Sequence, residues 1–100
     1  MDFKLKKDFL MGTATAATQI EGGDTDNNWL QFYKEGGIMD GTSPQVADDH
    51  WNRWESDTKL MTDMGMQIYR FGVEWGRIVP EEGKIDSEAI AHYRREIELM

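Results

Sequence analysis

A run of small residues between Phe9 and Gly23 constrains this chain more than any other segment. Glycine, alanine and threonine dominate the run, which ends abruptly in Gln19, Glu21 and a glycine pair. Small side chains pack where backbones or a ligand come close, and paired glycines let the chain turn at once. The glutamine amide carries both donors and an acceptor, which suits it to bind hydroxyl groups. We therefore expect a strand that opens onto a cleft, with Gln19 at its carboxyl end.

Strand and helix candidates alternate along the sequence. The strands are expected over residues 11–18 and 67–73. Side chains that can cap helices precede three helical segments, and these caps are Asn27 or Asn28, Asp48 or Asp49, and Asp86. Glycines at positions 36, 37 and 65 are expected to end the first two of these helices. The alternation predicts an α/β fold, either the start of a barrel or of a doubly wound sheet, and the pattern alone does not separate the two.

The two longer helices each show an apolar face with helical spacing. The first face is Trp51, Trp54, Thr58 and Met61, widened by Leu60 and Met64. The second face is Ile90, Tyr93, Ile97 and Met100. We expect Trp51 and Trp54 of the first face to pack in a core.

Two blocks of the sequence lie in the order and at about the spacing of a known protein family. The first block is the run from Phe9 to Gly23, and the second joins residues 48–57 to an Arg-Phe element at Arg70 and a Trp-x-Arg-Ile element at Trp75. Together they resemble the N-terminal part of family 1 glycoside hydrolases, which are (β/α)8-barrel β-glucosidases and 6-phospho-β-glucosidases. Thr18 departs from the family, which more often has an aromatic residue or histidine there.

The resemblance implies the first two βα units of a TIM barrel. Such a barrel takes about 250 residues, whereas this chain has 100. Residues 1–100 are therefore expected to be the N-terminal portion of a single glycoside hydrolase barrel domain, incomplete in this chain.

The resemblance also implies roles for two residues. Gln19 is expected to bind hydroxyls of the substrate's non-reducing sugar, although an amide near a turn can instead satisfy loop backbone groups. Arg70 is expected to orient the nucleophilic glutamate through two parallel hydrogen bonds. Since Arg70 stands between two aromatic residues, we expect it to point into a buried layer rather than into a surface ion pair.

No catalytic residue is expected within this chain. A retaining glycosidase needs two carboxyl groups about 5–5.5 Å apart, and in the family these glutamates follow the fourth and seventh strands. Glu21 is instead expected to hold its loop by accepting hydrogen bonds. Glu74, placed on the second strand, matches a position that varies in the family.

None of the four tryptophans is expected to contact substrate. Trp51 and Trp54 lie on a periodic helix face and are expected in the core, whereas Trp29 is expected to staple its short helix rather than fold over the cleft. Trp75 and Arg77 resemble packing elements at the end of the second strand.

Composition excludes several other classes of function. With 11 basic and 19 acidic residues and a net charge of −8, the chain has no basic cluster that would indicate a nucleic-acid partner. It has no cysteine, and His50 and His92 stand apart from other ligands, so neither a metal nor a cofactor is expected. No apolar run approaches the roughly 20 residues of a membrane span. The charged N-terminus lacks a signal-peptide core, so a cytoplasmic protein is expected.

The functional prediction is the N-terminal part of a retaining β-glycosidase that hydrolyses β-linked glucosides, with the piece alone inactive. A 6-phospho-β-glucosidase is an alternative, because the phosphate-binding residues of that subgroup lie near the family's C-terminus. From other classes, the chain could be a carbohydrate-binding module or a self-associating structural piece. The strand–helix alternation argues against the β-sandwich typical of binding modules, whereas open strand edges favour self-association.

Overall fold

The computed structural model describes residues 2–100, which form two strands and five helices. In chain order these are β1 (Gly12–Ala14), α1 (Ala17–Ile20), α2 (Asn28–Lys34), α3 (His50–Asp63), β2 (Ile68–Arg70), α4 (Trp75–Ile78) and α5 (Ser87–Leu99). The strands are parallel and adjacent, as expected, with Gly12 opposite Ile68 and Ala14 opposite Arg70. Their carboxyl ends therefore meet at one edge of the sheet.

Both strands are shorter than the sequence predicts. The segment expected to complete β1 instead folds as α1, in which the Glu21 N–H bonds to the Ala17 carbonyl at 2.8 Å. Alanine favours helix over strand, so the consecutive residues Ala16 and Ala17 explain why the strand ends early and a helical turn begins. Gly12 allows the strands to pair, since a Cβ at that position would lie 2.3 Å from the Ile68 carbonyl oxygen. The small-residue run thus serves a close backbone approach.

The two faces of the sheet differ in what covers them. Thr13 and Tyr69 point towards the helical side, where the Thr13 hydroxyl lies 3.3 Å from Met61 Sδ of α3. Residues alternate between the faces of a strand, and the opposite face carries exposed residues. These are Gly12, Ala14, Ile68 and Arg70. One face of the sheet is therefore open among the described residues.

Two of the three predicted helix caps are confirmed. The Asn27 side chain accepts a hydrogen bond from the Leu30 N–H at 2.8 Å. The Asp86 carboxylate accepts from two N–H groups of the first turn of α5. The third helix, α3, does begin directly after Asp49, but Asp49 has a left-handed backbone (φ 54°) and its side chain makes no cap bond. The Trp51 N–H instead donates to the Glu21 carbonyl at 3.0 Å.

Each predicted helix face is buried at its centre and exposed at its edges. On α3, Thr58 is buried, but Leu60 and Met64 are 61% and 67% exposed. On α5, Tyr93 is buried, whereas the side chains of Ile97 and Met100 are 55% and 50% exposed. The buried face of α5 is Ala89, His92, Tyr93 and Glu96. It is rotated from the apolar face because two of its polar residues are buried against α3.

A buried histidine joins α3 to α5. His50 lies 2.7 Å from Asp57 Oδ2 through Nδ1 and 2.7 Å from Glu96 Oε1 through Nε2. The hydrogen bond to Glu96, supported by Asp57, raises the pKa of His50 to about 9 although burial opposes the charge. His50 is therefore protonated at neutral pH and donates to both carboxylates. The sequence did not indicate this pairing.

The charge of His50 should make stability depend on pH. The folded pKa of about 9 lies above the ordinary value of about 6.5, so the stabilisation is complete below pH 6.5 and lost as the pH rises through 9. The full-length wild-type protein should lose about 3 kcal/mol of unfolding free energy across this range. His50→Asn should flatten this dependence, as measured by thermal unfolding between pH 6 and 9.5. Burial lowers the pKa of His92, so its contribution to the pH dependence has the opposite sign and is common to wild type and variant. Equal slopes for wild type and variant would contradict the prediction.

The hydrophobic core of the described residues is small. The buried hydrophobic residues are Leu30, Ala89 and Tyr93. Large apolar side chains such as Trp75, which is 71% exposed, are left without packing partners among the described residues. The radius of gyration is 16.4 Å, against about 13 Å for a compact domain of this length. Within residues 2–100, none of the helices combines the length and the apolar character needed to cross a membrane.

Candidate functional site

A cleft of about 470 Å³ lies where the chain leaves the two strands. Its walls come from α1, which follows β1, from Glu74, which follows β2, and from the segment between α2 and α3. The lining residues are Ala16, Ala17, Thr18, Gln19, Trp29, Ile38, Thr42, Ser43, Pro44, Ala47 and Glu74. Small and apolar residues dominate this surface, and a few polar groups converge on it, as in small-molecule sites.

Gln19 lines this cleft from α1 and is exposed. The sequence predicts Gln19 at the carboxyl end of a strand over residues 11–18, but β1 ends at Ala14 and Gln19 lies within α1. The amide still lies where the sequence predicts it, at the carboxyl edge of the sheet, because α1 begins three residues after β1. A ligand in the cleft can therefore reach its donors and its acceptor.

Arg70 is the last residue of β2, and its Nη1 donates to the Thr15 carbonyl at 2.9 Å. The side chain thus reaches across the carboxyl edge to the residue that follows β1. Arg70 is exposed, whereas its neighbours Tyr69 and Phe71 are half-buried and stack with ring centroids 5.4 Å apart. The expectation of a buried position is wrong within this chain, because Arg70 belongs to the uncovered face of the sheet. It does not line the cleft with Gln19.

Glu74 begins α4 and is not on the second strand, in contrast to the prediction. Its carboxylate accepts from the Gly76 N–H at 3.3 Å and lies 3.5 Å from the Thr18 hydroxyl. Its backbone N–H donates to the Tyr93 hydroxyl at 2.9 Å. Glu74 is half-buried and faces the cleft together with Thr18 and Gln19.

A buried ionic cluster of Glu21, Asp24 and Arg77 supports the loop that follows α1. Arg77 Nε donates to Glu21 Oε2 at 2.9 Å, and the same guanidinium donates to the Gly22 carbonyl. Asp24 Oδ1 also lies 2.9 Å from Nε, but it has no aligned hydrogen bond because Nε carries a single proton. The guanidinium carbon lies 3.8 Å from the centre of the Trp51 ring. The expectation that Arg77 is a packing element is confirmed.

Glu21 holds its loop, as the sequence predicts. Besides Arg77, it accepts from the Tyr93 hydroxyl at 2.7 Å. Burial raises the pKa of Glu21, and the bonds from Tyr93 and Arg77 oppose this rise. Burial also raises the pKa of Asp24, and the charge of Arg77 opposes that rise. Burial also raises the pKa of Tyr93, and the hydrogen bond to Glu21 raises it further. The cluster is thus a structural support behind the cleft.

Two tryptophans of α3 pack against α5, and a third tryptophan lies at the cleft. Trp51 stacks on His92 of α5 at 3.6 Å and is half-buried. Trp54 also contacts His92, edge-on at 5.8 Å. Trp29 meets Phe32 edge-on within α2 and lines the cleft at 60% exposure, so its role is not confined to its own helix. In the part of the chain that the structure describes, no three histidine or carboxylate side chains gather as metal ligands would.

Sequence reasoning missed Asp24, Tyr93 and the cleft position of Glu74. Tyr93 meets Glu21 across 72 positions of sequence, and Arg77 meets Glu21 across 56. No local spacing signals such pairs. A signal for these partners is the charge of Glu21 beside two glycines, because a carboxylate that is buried needs a hydrogen-bond donor from another segment of the chain.

Comparison with known proteins shows similarity along the chain. The sequence profile of Glycosyl hydrolase family 1 matches residues 1–100. Beta-glucosidase A of Acetivibrio thermocellus is 42% identical over 101 residues, which cover 94% of this chain and 22% of that protein. The bifunctional beta-D-glucosidase/beta-D-fucosidase of Bifidobacterium breve is 41% identical over 100 residues, with 94% and 22% covered. The chain thus spans about a fifth of the length of these curated relatives.

Solved structures give the same result. An enzyme named AHE from Alicyclobacillus herbarius superposes with a TM-score of 0.89 at 38% identity, covering 97% of this chain and 23% of that one. The psychrophilic beta-glucosidase BglU from Micrococcus antarcticus superposes with a TM-score of 0.87 at 39% identity, covering 97% and 22%. The strands, helices and cleft described above therefore correspond to one part of larger proteins.

Proposed function

The chain belongs to glycosyl hydrolase family 1, and from this membership we propose that the whole protein is a retaining β-glycosidase that hydrolyses β-linked glucosides. The chain is a piece of that family's TIM-barrel fold. We place β1 with α3 and β2 with α5 as its first two βα units, so that residues 1–100 begin a single barrel domain. The proposal takes both catalytic glutamates to lie in other parts of the protein.

The observation that carries the proposal is Gln19 in a cleft at the carboxyl edge of two parallel strands. Barrel enzymes build their active sites at this edge, from the loops that follow the strands. An amide there can donate to one sugar hydroxyl and accept from its neighbour. The apolar lining and the exposed Trp29 ring suit the C–H faces of a pyranose.

The names of the relatives favour an unphosphorylated substrate. The Acetivibrio and Bifidobacterium proteins are named for β-glucosidase activity, and the Bifidobacterium protein also for β-fucosidase activity. We therefore propose β-glucosides as the substrate class, with 6-phospho-β-glucosides as the alternative.

The test is hydrolysis by the full-length protein of 4-nitrophenyl β-D-glucoside and of its 6-phosphate. We expect the neutral substrate to be preferred, and NMR to show the β-anomer of glucose as the first product. The 100-residue chain alone should release no nitrophenol. Failure of the full-length protein to cleave either substrate, or release of the α-anomer first, would overturn the proposal.

Arg70 should tune the nucleophile in the full-length enzyme. Arg70→Lys keeps the charge but loses the two parallel donors that favour an ionised carboxylate. We expect the acidic limb of the kcat/KM profile to move up by about one pH unit. The matched control is Arg53→Lys, a side chain on α3 that is 68% exposed. A profile that is unchanged in Arg70→Lys would remove the proposed role.

The 100-residue chain should not be a stable monomer by itself. Ordering the backbone costs about 1–2 kcal/mol per residue, and the buried hydrophobic side chains of this chain are few. If the isolated chain is ordered, we expect it to sediment as an oligomer at micromolar concentration. Ile68→Lys, on the open face of the sheet, should weaken this association. A cooperatively folded monomer would contradict the prediction.

A further inference from the structure

The charge that lines the cleft is negative. Among the described residues around it, Glu74 is the charged side chain, and neither a lysine nor an arginine takes part. Arg77, the cation nearest in sequence, is held by Glu21 and Asp24 behind the cleft. A ligand in the cleft therefore contacts a carboxylate, and no lysine or arginine of the described residues lines the cleft beside that carboxylate.

The Glu74 carboxylate keeps acceptor capacity for a ligand. Its bond from the Gly76 N–H is 3.3 Å long, and the Thr18 hydroxyl lies 3.5 Å away, beyond the usual length of an O–H···O bond. An ionised carboxylate has about four acceptor sites. These two weak contacts leave room for a stronger hydroxyl donor.

The position of Glu74 is nevertheless well defined. Its backbone N–H donates to Tyr93, which is 4% exposed and itself bound to Glu21. The residue also begins α4, so the ionic cluster and a helix terminus both hold its backbone. A fixed carboxylate in an otherwise neutral, mainly apolar cleft can discriminate between ligands by charge.

We propose that Glu74 is a specificity-determining residue, which accepts a hydrogen bond from a hydroxyl of a neutral glycoside and disfavours an anionic sugar such as a 6-phosphate. The inference rests on the proposed function and deepens it. A phosphate ester carries about −1.5 to −2 charges at pH 7. If the two charges lie about 5 Å apart in a water-accessible cleft, the repulsion by one carboxylate corresponds to about a tenfold loss of affinity.

The test measures glucose and glucose 6-phosphate as competitive inhibitors of 4-nitrophenyl β-D-glucoside hydrolysis by the full-length enzyme. Glu74→Gln removes the charge but keeps a side-chain oxygen that can accept from Gly76. We expect the inhibition constant of the 6-phosphate, divided by that of glucose, to fall about tenfold in this variant. A general loss of structure would affect both inhibitors and leave this ratio unchanged.

The matched control is Glu55→Gln, which removes an equal charge from an exposed position on α3. This ratio should stay within about twofold of wild type, because exposed distant charges are screened. Hydrolysis with an unchanged ratio in Glu74→Gln would overturn this inference alone. Tighter binding of the 6-phosphate than of glucose by the wild-type enzyme would also overturn it. Absence of any hydrolysis by the wild-type enzyme would overturn the proposed function itself.

Discussion

Gln19→Ala in the full-length enzyme is expected to lower kcat/KM for 4-nitrophenyl β-D-glucoside by about 10³-fold. A site built to bind hydroxyls leaves them without partners when the amide is removed, and such losses are large. Most of the loss should appear in kcat, because hydrogen bonds to sugar hydroxyls can strengthen in the transition state. Steady-state kinetics at a fixed pH would measure both parameters.

Gln31→Ala is the matched control for this variant. Gln31 carries the same amide on α2, is exposed, and bonds to Glu35 on its own helix at 2.7 Å. Its removal should leave kcat/KM within about twofold of wild type. A loss of less than about threefold in Gln19→Ala would mean that Gln19 is structural and not a substrate contact.

Arg77→Met should produce the largest loss of stability. Glu21 and Asp24 are 3% and 8% exposed, and the guanidinium lies 2.9 Å from both. Methionine fills similar space over Trp51 but leaves two buried carboxylates without their cation. Removing one partner of a buried ion pair costs about 3–5 kcal/mol. Chemical or thermal unfolding of the full-length protein would measure the change.

The loss in Arg77→Met should depend on pH. Burial already raises the pKa of both carboxyls, and removal of the cation would raise these values further. A group whose folded pKa lies above its unfolded value loses stability as the pH rises. The deficit should therefore be greatest near neutral pH and shrink towards pH 4 to 5, where the acids take up protons.

Arg94→Met is the matched control for stability, since Arg94 is exposed on α5. Its change in unfolding free energy should stay within about 0.5 kcal/mol. Equal shifts in the two arginine variants would show that the buried cluster does not carry the effect.

The sequence by itself determined the family, the helix starts at Asn27 and Asp86, and the structural role of Glu21. Each cap is a contact between residues two or three positions apart, so neighbouring residue types are enough to specify it. The family followed from two blocks of sequence in the right order. The roles of Gln19 and Arg70 as ligand and nucleophile contacts stay predictions.

Only the tertiary structure decided which side chains are buried and which charges pair. His50 meets Glu96 across 46 positions and Glu21 meets Tyr93 across 72, and these pairs bury polar residues of α5. Periodicity predicted an apolar face because it weighs each side chain by its own hydrophobicity. A buried charge, however, is stable only where a distant segment supplies its partner. That condition depends on how the helices pack, which local patterns do not encode.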